Sequence, residues 1–473
     1  MTSARWSVPC LALVMMAHSH AHAQAISLTT IPLASGDQFA IFPSQNFGMG
    51  GVSFALEDGL LDPFVNPAKG VRSTNPLFAI TPTVYSVDTR RGSVWTLPVA
   101  GITRTGDWFG GGAGALQTIN VPRNRLAGEV STTNKYAFIS AGRVLSDKVA
   151  VGGSGYLSNL RAMDGSEWYF GEPFSVNQSG HTEQFRLGTL VQLDGTRFFE
   201  TLLLLEQVNM TYDVTYREFV TDSLTGDEEV EFRDEHNVEA TRTWGLHLAY
   251  QQPLGSHGWR VGAILTGNRK THPKIPTYEI NEVLARIPRD PGHTWAYDIG
   301  LGVSRTFGPP QARLAVGMDL AFEPAWSHTW AEAEAPVTTT SGQNIRVGGK
   351  TVENRFVFSN VKTRMGLTQH AGPVAFQMGL RVELTDYGLD QWNHVMESYR
   401  HQDQRWAEWT LTWGIAVGTR ELRLHYQGAH RDGNYNPNVP DASRAVLATL
   451  SGSLIPPIPR ITTHRLSIVL PIH

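Results

Sequence analysis

Two histidines and an aspartate are the residues of this chain that first suggest acid–base chemistry. His247, His425 and Asp298 all fall on the polar side of alternating strand patterns, so a single interior could hold all three. A catalytic triad, however, depends on a geometry that spacing along the chain does not give. The chain has neither a Gly-x-Ser-x-Gly elbow nor a His-Glu-x-x-His helix motif. We therefore predict that the protein is not an enzyme and needs no cofactor.

A glycine-rich run begins the stretch Trp108–Ile119, with Gly110, Gly111, Gly112 and Gly114. The run is not a phosphate-binding loop, because it lacks the lysine and the following helix. Glycines inside a strand weaken pairing and favour a bulge or a close approach of two backbones. Alternatively, these small residues make room for a segment packed inside the sheet.

An acidic stretch, Asp222–Glu235, carries seven carboxylates. Oxygen ligands of this kind suit calcium, but their spacing matches no known calcium loop closely. We interpret the stretch as a solvated loop and leave calcium binding open.

Composition limits the class of protein to which these residues belong. The chain has 473 residues and a net charge of −4, without the clustered lysine and arginine of a nucleic-acid-binding surface. Outside the N-terminus, no apolar run approaches the roughly 18 residues of a membrane-spanning helix. A membrane protein without such runs must be a closed β-barrel, because every backbone polar group needs a partner in lipid.

A repeated strand pattern favours that barrel. In Val374–Thr385 every second residue is apolar, and the residues between include Arg381 and Glu383. Successive side chains of a strand face opposite sides, so one face is apolar and the other polar. A tilted spanning strand needs about 9–11 residues, which this stretch supplies.

Similar stretches recur and predict about 14–16 antiparallel strands over residues 76–473. They are Leu77–Val87, Ser93–Arg104, Trp108–Ile119, Asn134–Leu145, Lys148–Leu160, Glu183–Leu193, Arg197–Thr215, Thr241–Gln251, Trp259–Asn268, Trp295–Ser304, Gln311–Glu323, Arg355–Gln369, Val374–Thr385, Trp406–Gly418, Glu421–Gln427 and Arg465–Ile472. Short connectors such as Ser146-Asp147 alternate with long ones such as Pro324–Asn354. Short periplasmic turns and long external loops are typical of outer-membrane barrels.

The polar faces of these strands predict a lumen lined by charges. Such charges are tolerated in a barrel because they pair or remain hydrated. They either hold a plug and tune passage or simply solvate the interior, and they do not indicate a sharply hydrophobic tunnel. The predicted lumen-lining residues are Arg242, His247, Asp298, Arg313, Asp319, Arg381, Glu383, Arg423 and His425.

Residues 1–23 read as a secretory signal peptide. Arg5 supplies the positive charge, Val8–Ala17 the apolar segment and Ala21-His22-Ala23 the cleavage pattern. The mature chain is predicted to begin at Gln24 and to lose Cys10, the only cysteine.

Residues 24–75 lack clean alternation and carry two compact motifs. Gly48, Gly50 and Gly51 open a glycine-rich turn, Asp58 ends a short apolar stretch, and Asn66, Pro67 and Ala68 follow. This combination resembles the N-terminal plug of the FadL-like long-chain fatty-acid transporter family of bacterial outer membranes. The shuttle proteins of a bacterial secretion system have a similar opening.

The resemblance implies a barrel whose N-terminal segment folds inside the lumen as a hatch. It also implies outer-membrane passage of small hydrophobic compounds, with a lateral opening at the kinked strand that would contain Gly110–Gly114. The implied partners are outer-membrane lipid and lipopolysaccharide, a small hydrophobic ligand and the barrel-assembly machinery. FadL-like barrels have fourteen strands, fewer than the pattern here predicts. The alternatives are a barrel that binds or shuttles secreted proteins at the cell surface and a nonspecific porin.

Overall fold

The computed structural model describes residues 37–73, 75–87, 93–122, 129–161, 175–194, 196–221, 228–255, 257–272, 291–333, 335–419, 421–434 and 460–472. The predicted signal peptide and the start of the mature chain lie outside these ranges. Among the described residues, no helix is long and apolar enough to cross a membrane.

One antiparallel sheet closes on itself. The first two strands both pair with the third and with the last strand, and from the third onward each wall strand pairs with the next wall strand along the chain. The strands are β1 Leu77–Ile80, β2 Thr83–Val87, β3 Ser93–Thr105, β4 Trp108–Pro122, β5 Glu129–Ser146, β6 Val149–Leu160, β7 Ser175–Asp194, β8 Arg197–Thr221, β9 Glu228–Leu254, β10 Trp259–His272, β11 Gly292–Phe307, β12 Leu314–Glu332, β13 Val337–Thr338, β14 Asn344–Ile345, β15 Lys350–Ala371, β16 Val374–Asn393, β17 Ser398–Gly418, β18 Arg423–Asn434 and β19 Ile461–Pro471. The predicted all-β barrel is confirmed.

Each of the sixteen predicted stretches corresponds to one position in the described wall. The first position is divided into β1 and β2 at Pro82, since proline has no amide hydrogen for the ladder. Both pieces pair with β3 and β19. The amide of Thr81 still donates to the carbonyl of Pro98 (3.0 Å), so the wall stays bonded across the break. β13 and β14 form a separate hairpin outside the wall.

The strands run further than predicted at the end opposite the short turns. β8 and β9 contain 25 and 27 residues, against the roughly 9–11 that a span requires. The prediction of a free acidic loop is wrong over residues 228–235, which form the start of β9 and pair with β8; residues 222–227 lie outside the described ranges. The Pro324–Asn354 loop is wrong in the same way, because β12 continues to Glu332.

The two faces of the wall carry different side chains. On β16, Phe376 and Met378 are 51% and 58% exposed, whereas Gln377 between them contacts the N-terminal segment. The same alternation appears on β11, where Ile299 and Leu301 are exposed and Asp298 is buried. The apolar side chains therefore face outward and the polar ones face the lumen, as predicted.

Residues Asp37–Ser73, called the N-terminal segment below, lie within the closed sheet. The segment contains 3-10 turns at Asp37–Ile41, Phe47–Met49 and Pro67–Arg72 and a single helical turn at Asp62–Val65. Its atoms meet inward-facing residues of strands all around the wall, from β3 to β19. A segment touched from all sides of a closed barrel must occupy its interior.

Candidate functional site

The Asn66-Pro67-Ala68 motif sits where the N-terminal segment touches β7 and β8. The side chain of Asn66 accepts from the amide of Ala68 (3.1 Å) and so caps the turn that Pro67 begins. Its amide nitrogen donates to Glu200 on β8 (3.3 Å) and to the Thr189 carbonyl on β7 (3.4 Å). The motif thus shapes the segment and attaches it to the wall.

The glycine motif lies earlier in the segment, against β15–β17. Gly50 and Gly51 have φ values of +78° and +72°, a conformation that side chains with a Cβ disfavour. The chain then returns to Asp58, which accepts from the hydroxyl of Ser44 and the amide of Gln45 (2.9 Å). Asp58 therefore ties the two halves of the segment together.

Polar side chains of the wall bind the backbone of the segment. Asp319 on β12 accepts from the amides of Ser53 (2.7 Å) and Phe54 (3.2 Å). Arg381 on β16 donates to the carbonyl of Gly50 (2.7 Å). Further wall donors to segment carbonyls are Arg186, Gln251, Ser304, Gln377, Thr412, Gln427 and Arg465. Of the predicted lumen-lining residues, Asp319 and Arg381 satisfy backbone groups that the irregular segment leaves open, and the other wall partners were not in that prediction.

A buried ion cluster adds a charged contact on one side. The ammonium of Lys69 lies 3.0 Å from Glu200 of β8 and 3.5 Å from Asp62 of the segment. Burial raises the pKa of Asp62 to about 6, although Lys69 opposes the rise. Burial also lowers the pKa of Lys69, but the two carboxylates outweigh it, so that pKa is raised overall. Lys69 therefore remains charged and bridges the segment to the wall.

Wall glycines permit the close approach of the segment, and the sequence did not reveal them. A Cβ on Gly262 of β10 would lie 1.8 Å from the carbonyl oxygen of Phe54. One on Gly379 of β16 would lie 2.2 Å from the amide nitrogen of Gly50. Each interrupts an otherwise regular strand, and an isolated strand glycine signals close backbone approach. The glycines are visible in the sequence, but the sequence does not identify the residues that approach them.

Apolar contacts occupy the lumen beside β3–β6. Phe39, Phe42 and Phe64 of the segment pack against Phe138 of β5 and Tyr156 of β6, with ring centroids 4.7–6.3 Å apart. These distances suit stacked and edge-to-face aromatic contacts. The lumen therefore has an apolar side, which the sequence analysis did not predict.

A second apolar cluster lies on the inner face, nearer the end of the barrel opposite the short turns. Its main residues are Phe356, Phe358, Leu389 and Trp406 on β15–β17. A cavity of about 140 Å³ remains between the segment and the inner wall from β8 to β19, and polar and apolar residues both line it. The interior thus combines apolar clusters with polar attachment points.

The glycine-rich strand β4 forms part of a continuous wall. It pairs in register with β3 and β5 through Gly110, Gly111, Gly112 and Gly114, and no bulge interrupts either ladder. A Cβ on Gly110 or Gly111 would press on a neighbouring backbone oxygen at 2.6 or 2.5 Å. The ladders on both sides are continuous at these four glycines.

The remaining predicted lumen residues divide into three groups. His247 is buried and its Nδ1 pairs with the hydroxyl of Thr266 (2.7 Å), and Asp298 is also buried. Glu383, Arg423 and His425 alternate with outward-facing apolar residues, which places them on the inner side of the wall, Arg423 at its short-turn end.

Arg313 directly precedes β12 in an extended conformation, and its carbonyl accepts from the amide of His370 (2.8 Å), so its facing into the lumen stays a prediction. One of the predictions is wrong. Arg242 shares the outward face with Trp244, two residues away, because side chains alternate with a period of two.

A scan against protein-family models found no match, and neither did a search of curated proteins. Among solved structures, the chain is similar to a Pseudomonas aeruginosa FadL homologue (11% identity, 91% of this chain, 99% of that chain, TM-score 0.48). It is also similar to the CymD monoaromatic hydrocarbon channel (10%, 90%, 97%, 0.38) and the Pseudomonas putida toluene transporter TodX (11%, 90%, 95%, 0.35). These matches include the family that the N-terminal motifs resemble. At such TM-scores, the barrel assignment rests on the strand pairing of this chain itself.

Proposed function

We propose that the protein is an outer-membrane barrel that passes small hydrophobic compounds, and that its N-terminal segment acts as the plug. The observation that carries the proposal is that the lumen contains both an attached non-strand segment and apolar clusters. A non-strand segment fills the barrel, attached by side-chain-to-backbone hydrogen bonds, and apolar clusters lie on the inner wall beside and above it.

The two apolar clusters supply a sequence of binding surfaces. A hydrophobic molecule first meets Phe356, Phe358 and Trp406 near the end of the barrel opposite the short turns. It then meets the aromatic contact of Phe64 and Phe138 between the segment and the wall. Displacing the segment's aromatic rings costs apolar contact, which an apolar ligand restores in their place. Passage therefore requires no opening between strands in the starting state.

The proposed location in the outer membrane follows from the apolar outward surface of the wall. Exposed leucine, isoleucine and phenylalanine side chains cover the wall, and an apolar patch of that extent is unusual on a soluble protein. Lipid of the bacterial outer membrane covers this surface, and the strand extensions reach the outer leaflet and its lipopolysaccharide. Insertion depends on the barrel-assembly machinery.

Uptake by proteoliposomes tests the function. Purified protein is reconstituted and supplied with a labelled fatty acid, a labelled monoaromatic hydrocarbon or a small labelled sugar. We expect accumulation of at least one hydrophobic compound above that of empty liposomes, and no accumulation of the sugar. Passage of the sugar alone indicates a nonspecific porin instead. Retention of a secreted protein without uptake of either hydrophobic compound indicates a shuttle.

A further inference from the structure

A groove crosses the outer face of the wall from β5 to β9. It has a volume of about 630 Å³ and lies between two rows of outward side chains. The row nearer the short turns is Ile139, Gly155, Phe185, Leu205 and Trp244, which stand directly opposite one another on successive strands. The other row is Ala137, Leu157, Glu183, Gln207 and Arg242.

The groove has an apolar lining and a defined floor. Gly155 contributes no side chain, and Ile139, Leu157 and Phe185 around it are 55–70% exposed. Four strand spacings of about 4.8 Å give the groove a length of roughly 19 Å. An extended hydrocarbon chain fits a slot of these dimensions better than a compact molecule does.

The groove lies at the level of an aromatic girdle. The row nearer the short turns continues from Trp244 through Arg269 to Trp295 and Trp326 on β10–β12. Trp244, Trp295 and Trp326 are all exposed, and tryptophans in such a band mark the membrane–water interface. The band is at the end of the barrel opposite the short turns. In the orientation proposed above, this is the outer leaflet.

Two cations stand at the β9 end of the groove. Arg242 and Arg269 are diagonal neighbours on adjacent strands, with Cβ atoms about 7 Å apart at this register. Arg269 stacks over Trp295 (5.5 Å), and within the part of the chain that the structure describes neither guanidinium forms an ion pair. Glu183, the nearest carboxylate in the rows, is two strands from Arg242 and lies 3.9 Å from His181.

We propose that this groove binds a phosphorylated glycolipid of the outer leaflet, with a phosphate between Arg242 and Arg269 and an acyl chain in the slot. Guanidinium groups recognise phosphate oxygens through paired, charge-assisted hydrogen bonds. Glu183 repels an anion from the middle of the groove and so directs the phosphate to the β9–β10 end. The proposal rests on the outer-membrane orientation given under the proposed function, and not on the identity of the transported compound.

Native mass spectrometry tests the site. The full chain is extracted from outer membranes in mild detergent, and bound lipid is counted after repeated washing. We expect retained phosphorylated glycolipid, reduced at least tenfold in the R242Q/R269Q double variant. Gly155→Leu fills the slot and should reduce retention similarly, because a Cβ there meets only Ile139 at 3.9 Å and the wall is undisturbed.

Two variants serve as matched controls. Arg143 stacks over exposed Trp108 (5.2 Å) at the short-turn end, so Arg143→Gln removes the same kind of contact from the other leaflet. Gly153→Leu adds the same side chain outside the groove, where the nearest atom to a Cβ is 3.7 Å away. Both should retain glycolipid as the unmodified protein does.

Equal retention in the double variant and the unmodified protein overturns the proposal. So does retention of phospholipid or of a polypeptide alone. Uptake by liposomes made only of phospholipid is measured in parallel. Uptake that persists in R242Q/R269Q while glycolipid is lost separates this site from transport. Loss of uptake in the unmodified protein counts against the proposed function and leaves the lipid count to stand independently.

Discussion

At the scale of single residues, the lumen is organised around side chains that replace missing backbone partners. The N-terminal segment has no sheet ladder of its own, so its amides and carbonyls need partners from the wall. Asp319 meets two consecutive amides with one carboxylate, and Arg381 meets the carbonyl of the left-handed Gly50. Charged partners make these bonds, like those of Arg186 and Arg465, stronger than the bonds from the neutral side chains of the wall.

Asp319→Asn should loosen the segment near Ser53 while preserving side-chain volume. A hydrogen bond to a charged group contributes about 1.5–3 kcal/mol, so the detached population should rise at least tenfold. Modification of a cysteine placed at Ser53 by a water-soluble thiol reagent measures this, since the mature chain is predicted to have no other cysteine. Glu323→Gln is the control, because Glu323 pairs with Lys362 of the wall (2.9 Å). Equal modification rates in the two variants would contradict the role given to Asp319.

Glu200→Gln should destabilise the attachment at Lys69. The substitution leaves a buried ammonium with Asp62 alone, and breaking a buried pair costs about 3–5 kcal/mol. Adding Lys69→Met removes the uncompensated charge and should recover most of the loss. Protease protection of the segment, measured for both single variants and the double variant, gives the coupling. Additive effects would show that the two residues do not act as a pair.

At the scale of elements, the wall strands are regular ladders with glycines where the segment crosses them. Gly262 on β10 meets Phe54, and Gly188 on β7 meets Asn66, each at less than 2 Å from an added Cβ. These strands keep full pairing on both sides at those positions. The glycines therefore serve the fit of the segment and not a break in the sheet.

Gly262→Val should displace the segment without opening the wall. The new side chain overlaps the Phe54 carbonyl, and backbone there cannot yield without moving the whole turn. We expect faster thiol modification at a Ser53 cysteine and an unchanged far-ultraviolet spectrum. Gly153→Val is the comparison, because Gly153 faces outward with ordinary contact distances. A loss of strand content in the Gly262 variant would indicate that the glycine is needed by the barrel itself.

Particular residues show how far the sequence could lead. The period of two located all sixteen wall positions and the facing of Phe376, Ile299 and Asp298, because one register assigns every side chain of a strand. It could not locate the strand ends. Beyond the apolar part of β8 and β9, strand pairing continues through polar residues such as 228–235, and polarity alone resembles a loop.

The candidate site was predictable only in part. Asn66, Pro67 and the Gly48–Gly51 turn carry local signals for capping and positive φ, which are properties of adjacent residues. The partners of those residues, such as Glu200 and Gly379, are separated from them by more than a hundred positions. The aromatic cluster of Phe39, Phe64 and Phe138 likewise joins segment and wall, and no short pattern reports such a contact.

At the scale of the whole molecule, the segment and the closed wall together determine how much of the lumen is open. Side chains from strands on all sides converge on the segment, and a cavity of about 140 Å³ remains beside it. Large apolar side chains are exposed on the outward face of the wall. The molecule therefore has an apolar outer surface and a lumen occupied by its N-terminal segment.

Deleting residues 24–73 should raise the single-channel conductance in planar bilayers severalfold, because the volume occupied by the segment becomes available to ions. Retained resistance to detergent unfolding shows that the barrel is intact in this variant. The full chain carrying Glu323→Gln controls for a change of lumen charge without loss of the segment. Conductance equal to that of the full chain would contradict the plug role.

The joint between β1 and β19 has a consequence for how the chain is assembled. The strand that follows the N-terminal segment is the one to which the last strand attaches. Once these strands have paired, residues 37–73 can no longer enter the lumen from the side, between strands. Many of their anchors, on β15–β19, are synthesised last. The contacts of residues 37–73 with the wall are therefore complete only after these last strands have been made.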